Sequence, residues 1–299
     1  MSPDNKMDQF VKEHFQTLFP DKNEDGMRLV YHYTTLDTLR TITQKDADFL
    51  CTYCAAMNDK AEFSTGLKVL ENHINTNRKL ANGLTIKDIK DLAMNSSFVP
   101  WSMSFSTNGD SLNQWIAYTD EHEGGAAIGF DIDDLYARIK QKKDNRLIVY
   151  LAPCLYERTH EKEISSLFSF LFGEYKQHLC SIARTKLPDK PERTIQQCVS
   201  FWVAFIFASI VKDESFSLEH EWRLVVHPLD PVTFRNCSFI GGKPRISSGL
   251  YGRDYALADS IKQIVCSPHG GAIEKIKVIT KIRQLTVDPV SSLSTYTTV

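Results

Sequence analysis

The sharpest chemical hint in the chain is the run Glu219-His220-Glu221-Trp222-Arg223. Within SLEHEWRLVVHP, Glu219, Glu221, Arg223 and Val225 alternate with His220, Trp222, Leu224 and Val226. A period of two predicts a strand that projects Glu219, Glu221 and Arg223 from one face. Two carboxylates on one face repel each other. They are stable if exposed, if the arginine neutralises them, or if a site requires negative charge. The ordinary alternative is a salt-bridged surface strand. The functional one is a carboxylate that stabilises a cationic transition state or accepts a proton.

A second cluster runs from Trp101 to Asp131, WSMSFSTNGDSLNQWIAYTDEHEGGAAIGFD. Val99, Trp101, Met103 and Phe105 alternate with Ser102, Ser104 and Ser106, which predicts a strand with Ser104 and Ser106 on its less apolar face. Asp110 or Ser111 can cap a following helix. That helix would carry Trp115, Tyr118 and His122 on a shared face. Trp/Tyr stripes are more often core than binding site, yet hydroxyls, aromatics and a histidine gather here beside a Gly-Gly pair. This stretch is therefore the first candidate pocket.

His32, in MRLVYHYTT, falls on a strand face opposite Tyr31 and Tyr33. It reads either as a core histidine bonded to backbone or as a donor to a ribose or phosphate oxygen. The segment GGKPRISSGLYGRDY reads as a glycine-rich basic loop, in which backbone N–H groups and Arg245 could cradle an anion. It lacks the GK[ST] ending of a nucleotide-hydrolysing loop. Cys51 and Cys54 form one CxxC with no second pair or His partner, so no metal site is expected. GxSxG, HExxH and GxGxxG are absent.

The elements that must position these groups follow from periodicity. Strands are expected at MRLVYHYTT, ADFLCTY, Val99–Ser106, LIVYLAPCLY broken at Pro153, SLEHEWRLVV, VTFRNCSFI, IKQIVCSP and IRQLTV. Helices are expected around Phe10–Phe15, after Thr34 or Thr35, after the Asn58-Asp59 turn, around Ile86–Met94, over DIDDLYARIKQKK, and from Ala272 to Ile279. Longer helical patterns cover Glu161–Arg184 and Arg193–Val211, separated by the proline-rich linker TKLPDKPER. Strands and helices mix without regular βαβ alternation, which favours an α+β fold. The domain reading is a polar helical extension over 1–27, one domain over 28–288 with a helical insertion at about 160–212, and a frayed Ser/Thr-rich tail over 289–299.

The totals narrow the class. The chain has 299 residues, 42% of them hydrophobic and 24% charged, with a net charge of −2. That balance gives no global basic signature for nucleic acid or an anionic membrane. The amino terminus lacks the basic-then-apolar layout of a signal peptide. The longest apolar run, FWVAFIFASIV, is shorter than the roughly 20 residues of a membrane span and reads as a buried helix. Seven scattered cysteines with no export signal point to reduced thiols in a cytoplasm.

Taken in order, YHYTT at 31–35, NDKAE at 58–62, SFST at 104–107, WIAYTDEHEGGAAIGF at 115–130, SLEHEWRLV at 217–225 and IKQIVCSP at 261–268 resemble the successive motifs of a bacterial domain-of-unknown-function family. That family is placed with the ADP-ribosyltransferase-like fold, and the resemblance covers roughly residues 28–285. It implies a split β-sheet core with flanking helices, and NAD as co-substrate. His32, with Tyr33 and Thr34 beside it, takes the position that binds the ribose of NAD. Ser104, Phe105 and Ser106 resemble the second strand motif, and Glu221 the catalytic glutamate with Glu219 as its upstream partner. Trp115, Tyr118, His122 and Arg223 complete the implied nucleotide site, while Asn58, Asp59 and Glu62 either shape it or cap a helix. The chain mixes the histidine of one common triad with the serine strand of the other. The implied activity is transfer of ADP-ribose to a protein, nucleic acid or small-molecule acceptor, or to water, as in a toxin or phage-defence effector, with a regulatory partner conceivable. The rival reading is a non-catalytic binding module for nucleotide, nucleic acid or protein, motivated by the basic runs 138–146 and 183–193 and by Arg245 and Arg253.

Overall fold

The alternating segments form strands, and the strands form one large sheet with helices on both faces. The structure is a computed structural model, and it describes residues 2–54, 60–81, 85, 87, 89, 99–142, 147–186, 189, 191–228, 237–240, 243–251 and 255–294. The strands are β1 Leu29–Thr35, β2 Leu50–Tyr53, β3 Trp101–Ser106, β4 Gly125–Asp131, β5 Leu147–Pro153, β6 Leu155–Tyr156, β7 Val211–Lys212, β8 Glu221–Pro228, β9 Ser238–Ile240, β10 Lys243–Ser247, β11 Ile261–Cys266 and β12 Pro289–Ser291. The helices are α1 Pro3–His14, α2 Leu36–Ile42, α3 Lys60–Thr76, α4 Arg78–Ala81, α5 Leu112–Tyr118, α6 Ile132–Gln141, α7 Glu161–Phe170, α8 Lys176–Lys186, α9 Glu192–Ile210 and α10 Ala272–Arg283. A π-helical turn, Leu171–Tyr175, joins α7 to α8.

Among the described residues the main sheet has ten strands in the order β12-β11-β4-β1-β3-β2-β10-β9, with β8 and β5 branching from β3. Its pairs are antiparallel except β11–β12, so the fold is α+β with a mixed sheet. The branch at β3 shapes the cleft. One edge of β3 pairs with β2 through Trp101 and Ser102, and with β1 through Ser106. Between those contacts β1 and β2 diverge. The other edge pairs continuously with β8, from Trp101↔Val226 to Ser106↔Glu221.

Each face of the sheet buries its own core. On one face Ile148, Tyr150 and Val225 pack with α1 and α3 and with the helices from α7 to α9. On the other, Trp101, Met103, Phe105, Trp222 and Leu224 pack with α2, α6 and α10. The run FWVAFIFASIV becomes the buried half of α9 and its exit into β7. By length and composition α9 could cross a membrane, but 67% of its apolar window is buried within the fold.

Several expectations are corrected. The helix expected near Phe10 forms as α1, but the first 27 residues do not stand apart as an extension, since α1 packs into the domain core. Met7, Phe10, Val11 and Phe15 are buried, and Asp4 Oδ1 accepts the Val149 N–H of β5 at 2.7 Å. The helical pattern Glu161–Arg184 is interrupted by the π-turn. Lys243–Ser247 is a strand between β2 and β9, not a loop. The last strand is Pro289–Ser291 rather than IRQLTV, because α10 runs on to Arg283. The tail is tied down at least to Ser294, through Asp110. The Asn58-Asp59 turn, the Glu62 side chain, Arg253, most of Ile86–Met94 and the first part of VTFRNCSFI lie outside the described residues.

Candidate functional site

The cleft opens where β1 and β2 part along the edge of β3. His32 stands at this parting. Its Nδ1 lies 3.0 Å from the Ser104 carbonyl, and its ring meets Phe105 edge-on at 6.0 Å between centroids. A carbonyl only accepts, so Nδ1 carries the proton and Nε2 presents a lone pair. Burial lowers the His32 pKa to about 4, reinforced by the positive charge of Arg245 and opposed by the bond to Ser104. His32 is therefore neutral near pH 7, and its Nε2 suits a hydroxyl donor.

Glu221 begins β8 directly opposite Ser106. Its side chain is only 5% exposed, yet it is ionised and crowded with donors. Lys212 Nζ donates to it at 2.7 Å. Arg223 donates through Nε at 2.8 Å and through a terminal nitrogen at 3.1 Å, and the Cys154 thiol lies 3.4 Å away. Burial alone would raise the carboxyl, but Arg223 and then Lys212 outweigh it and hold the group well below the usual carboxylate range. Lys212 also bonds Glu219 at 2.7 Å, so two carboxylates and two cations form one compensated cluster. Arg223 is further held by the Ser209 carbonyl at 2.6 Å.

Glu219 does not lie on the strand. It ends a 3₁₀ turn over Glu214–Glu219, and His220 follows in the left-handed region at φ 45°. That conformation is unusual for a side chain larger than glycine or asparagine. It turns Glu219 out of the strand repeat, leaving it 27% exposed against 5% for Glu221. The turn is pinned to β3, since Ser106 Oγ donates to the Glu219 carbonyl at 2.8 Å. The Thr107 N–H donates to the His220 carbonyl at 3.1 Å.

The third wall is α5. Tyr33 fastens it to β1, because its hydroxyl donates to the Asn108 carbonyl and accepts from the Ser111 N–H, both at 2.8 Å. Trp115 is fully buried and packs edge-on against Tyr33 at 4.6 Å. Its Nε1–H donates to Asp110 at 2.8 Å. Asp110 therefore fixes the tryptophan instead of capping the helix, and the N-cap residue is Ser111 without a side-chain bond. Asp110 also receives the Leu293 N–H at 2.6 Å and the Ser292 hydroxyl at 2.5 Å. The Gly-Gly pair serves the turn after α5. Gly124 has φ +79°, and a Cβ on Gly125 would sit 2.4 Å from the Thr34 carbonyl.

Of the residues singled out from the sequence, His32, Tyr33, Ser104, Phe105, Ser106, Tyr118, Glu219 and Glu221 line a small continuous pocket together with Gln114. Thr34 lines the adjoining cavity of about 290 Å³, which leads on past Arg245 to another of about 350 Å³. Phe105 is almost wholly enclosed, among Phe49, Phe130 and His32. Trp115 lies behind the wall, and Arg223 acts behind Glu221. His122 is corrected: α5 stops at Tyr118, and His122 sits in an exposed turn where its N–H bonds Asp120 at 2.9 Å. Cys51 is buried in the core and its thiol is pushed up by that burial, while Cys54 contacts the Ser102 hydroxyl at 3.5 Å. Sequence reasoning missed Lys212 and Gln114. A lone lysine closing the apolar run of α9 was the available signal for Lys212. Gln114 left none.

Comparison with curated proteins gives no match, and comparison with solved structures gives none. Residues 114–224, from α5 into β8 and so including Tyr118, Lys212, Glu219 and Glu221, match the model of a family described as a protein of unknown function, DUF2971.

Proposed function

We propose that the protein is an NAD-dependent ADP-ribosyltransferase, or a relative that passes ADP-ribose to water, acting in the cytoplasm. The observation that carries this reading is the convergence of His32, Ser104, Ser106, Tyr118, Glu219 and Glu221 on one pocket from four separate chain segments. Each fits a step. His32 Nε2 accepts a ribose hydroxyl, and Tyr118 offers an aromatic face at the mouth. Cleavage breaks the bond between nicotinamide and ribose, its electron pair leaves with the ring, and oxocarbenium character develops on the sugar. Glu221 and Glu219 supply negative charge beside that sugar. The acceptor then forms its bond to the same carbon and loses its proton, with Glu219, the more exposed carboxylate, nearest to receive it.

A second reading is favoured by the cluster itself. Glu221 already bonds two cations, as a purely structural ion group does, and a nucleotide-binding module without catalysis would look the same. One experiment separates the two: nicotinamide release from NAD by purified protein, wild type against Glu219→Gln and Glu221→Gln, with and without cell lysate. Release by wild type that falls at least a hundredfold in either folded variant supports the enzyme. NAD binding without release under any condition supports the module.

A further inference from the structure

The Arg245 side chain makes no hydrogen bond or ion pair among the described residues, and its Nε is shielded from solvent without a partner there. Arg245 is half-buried, and a shielded Nε–H without an acceptor is costly unless a ligand supplies one. Its position is defined by register. Arg245 on β10 opposes Thr52 on β2, and Thr52 opposes Ser102 on β3. The three therefore form a row across one sheet face. Arg245 and Thr38 of α2 both line each of the two cavities that adjoin His32.

The charged groups around it sort by direction. Lys243 lines the nearer cavity with Arg245. Asp46 and Asp48 line the farther one, but Asp48 is occupied, chiefly by the segment that follows β10. It accepts the Phe49, Gly249 and Tyr251 N–H groups and the Ser247 and Ser248 hydroxyls. Glu219 and Glu221 also line the nearer cavity, but they continue into the small pocket beside His32, which Arg245 does not reach. They are absent from the farther cavity, which Arg245 does line. The cleft thus presents a cation with hydroxyls at one end, a neutral hydroxyl acceptor in the middle, and carboxylates at the other end. A ligand complementary to it carries an anion, then a sugar hydroxyl, then a cation.

We propose that Arg245, flanked by Thr38 and Thr52, is the subsite for the phosphate ester of a nucleotide ligand. This rests on the proposed function only in naming that ligand as a dinucleotide with a diphosphate. Guanidinium and phosphate match as a fork on paired oxygens. Bound phosphate also cancels the field that Arg245 exerts on His32.

The test is calorimetry of wild type and Arg245→Gln with ADP-ribose, inorganic pyrophosphate, adenosine and a single-stranded 12-mer oligonucleotide. The His32 ring is followed by NMR during the pyrophosphate titration, and the thermal midpoint confirms that the variant is folded. ADP-ribose and pyrophosphate should bind wild type and weaken at least tenfold in Arg245→Gln, with adenosine unaffected. The His32 pKa should rise from about 4 on pyrophosphate binding in wild type and stay put in the variant. Equal phosphate affinity in the two proteins, or binding that leaves His32 unmoved, overturns the subsite. Arg245-dependent oligonucleotide binding with ADP-ribose ignored overturns the nucleotide assignment. NAD cleavage with unchanged KM in Arg245→Gln rejects the subsite and leaves the activity standing. Arg245-dependent ADP-ribose binding without nicotinamide release does the reverse.

Discussion

Ser106 and Glu221 face each other across the β3–β8 pair, while the Ser106 hydroxyl bonds the Glu219 carbonyl two residues upstream at 2.8 Å. One serine thus sets the distance between the pocket floor and both carboxylates. It also marks where β1 joins β3, since Tyr31 opposes it from the other side. The site and the branch of the sheet are the same piece of geometry.

The two glutamates should separate in stability. Glu221 compensates Lys212 and Arg223, which are 1% and 3% exposed. Glu221→Gln leaves buried positive charge uncompensated and should cost about 3–5 kcal/mol in urea unfolding. Glu219→Gln, on the more exposed rim, should cost less than about 1.5 kcal/mol. Adding Lys212→Met to Glu221→Gln should restore part of the loss. Equal costs for the two single variants would show that the cluster is not held by Glu221.

Asp8 predicts a pH dependence of unusual sign. It is 1% exposed in α1, and neither carboxylate oxygen has a hydrogen-bond partner among the described residues. Burial first, then the nearby Asp4, raise its pKa to about 8. Between the unfolded value of 3.8 and about 8 the folded state holds a proton that the unfolded state has released. This group therefore lowers stability as pH rises through that window. Asp8→Asn should flatten that slope and raise stability at pH 7.5 by on the order of 2 kcal/mol. Thermal melts from pH 5 to 8.5 decide it, and an unchanged slope would mean that Asp8 is ionised in the fold.

What was legible in the sequence was what a period of two can carry. Val30 and His32 do fall opposite Tyr31 and Tyr33, and Trp101, Met103 and Phe105 opposite the serines. These strands have one strongly apolar face, so the pattern survives folding. The pattern misled at Glu219, where a single left-handed residue, His220, breaks the repeat. Polar contacts between distant segments left no periodic trace. Asp4 bonding β5, Lys212 joining two glutamates and Asp110 gathering the tail depend on tertiary geometry alone. Arg245 was noticed for its charge but read as part of a loop, because glycines and a proline surround a strand that pairs on both edges.

Asp110 should couple the tail to the pocket wall. Its carboxylate receives Trp115 Nε1, the Ser292 hydroxyl, and the Leu293 and Ser294 N–H groups. Hydrogen bonds outweigh the opposing effect of burial and lower its pKa. Asp110→Ala should cost about 1–3 kcal/mol and make the chain after Ser291 newly sensitive to limited proteolysis. Ligand affinity should fall with it, since α5 carries Gln114 and Tyr118 into the pocket. A variant with unchanged proteolysis would show that β12 alone anchors the tail.

His220 tests whether the turn before β8 stores strain. A left-handed φ of 45° costs a non-glycine residue roughly 1 kcal/mol, and a β-branched one more. His220→Gly should therefore be neutral or stabilising by up to about 1 kcal/mol, since it relieves the backbone while the unfolded chain gains freedom. His220→Val should lose more than about 1 kcal/mol. If the strain fixes the direction of Glu219, His220→Gly should also loosen the rim and weaken ligand binding despite its added stability. Improved stability with undiminished binding would assign the turn a purely structural role.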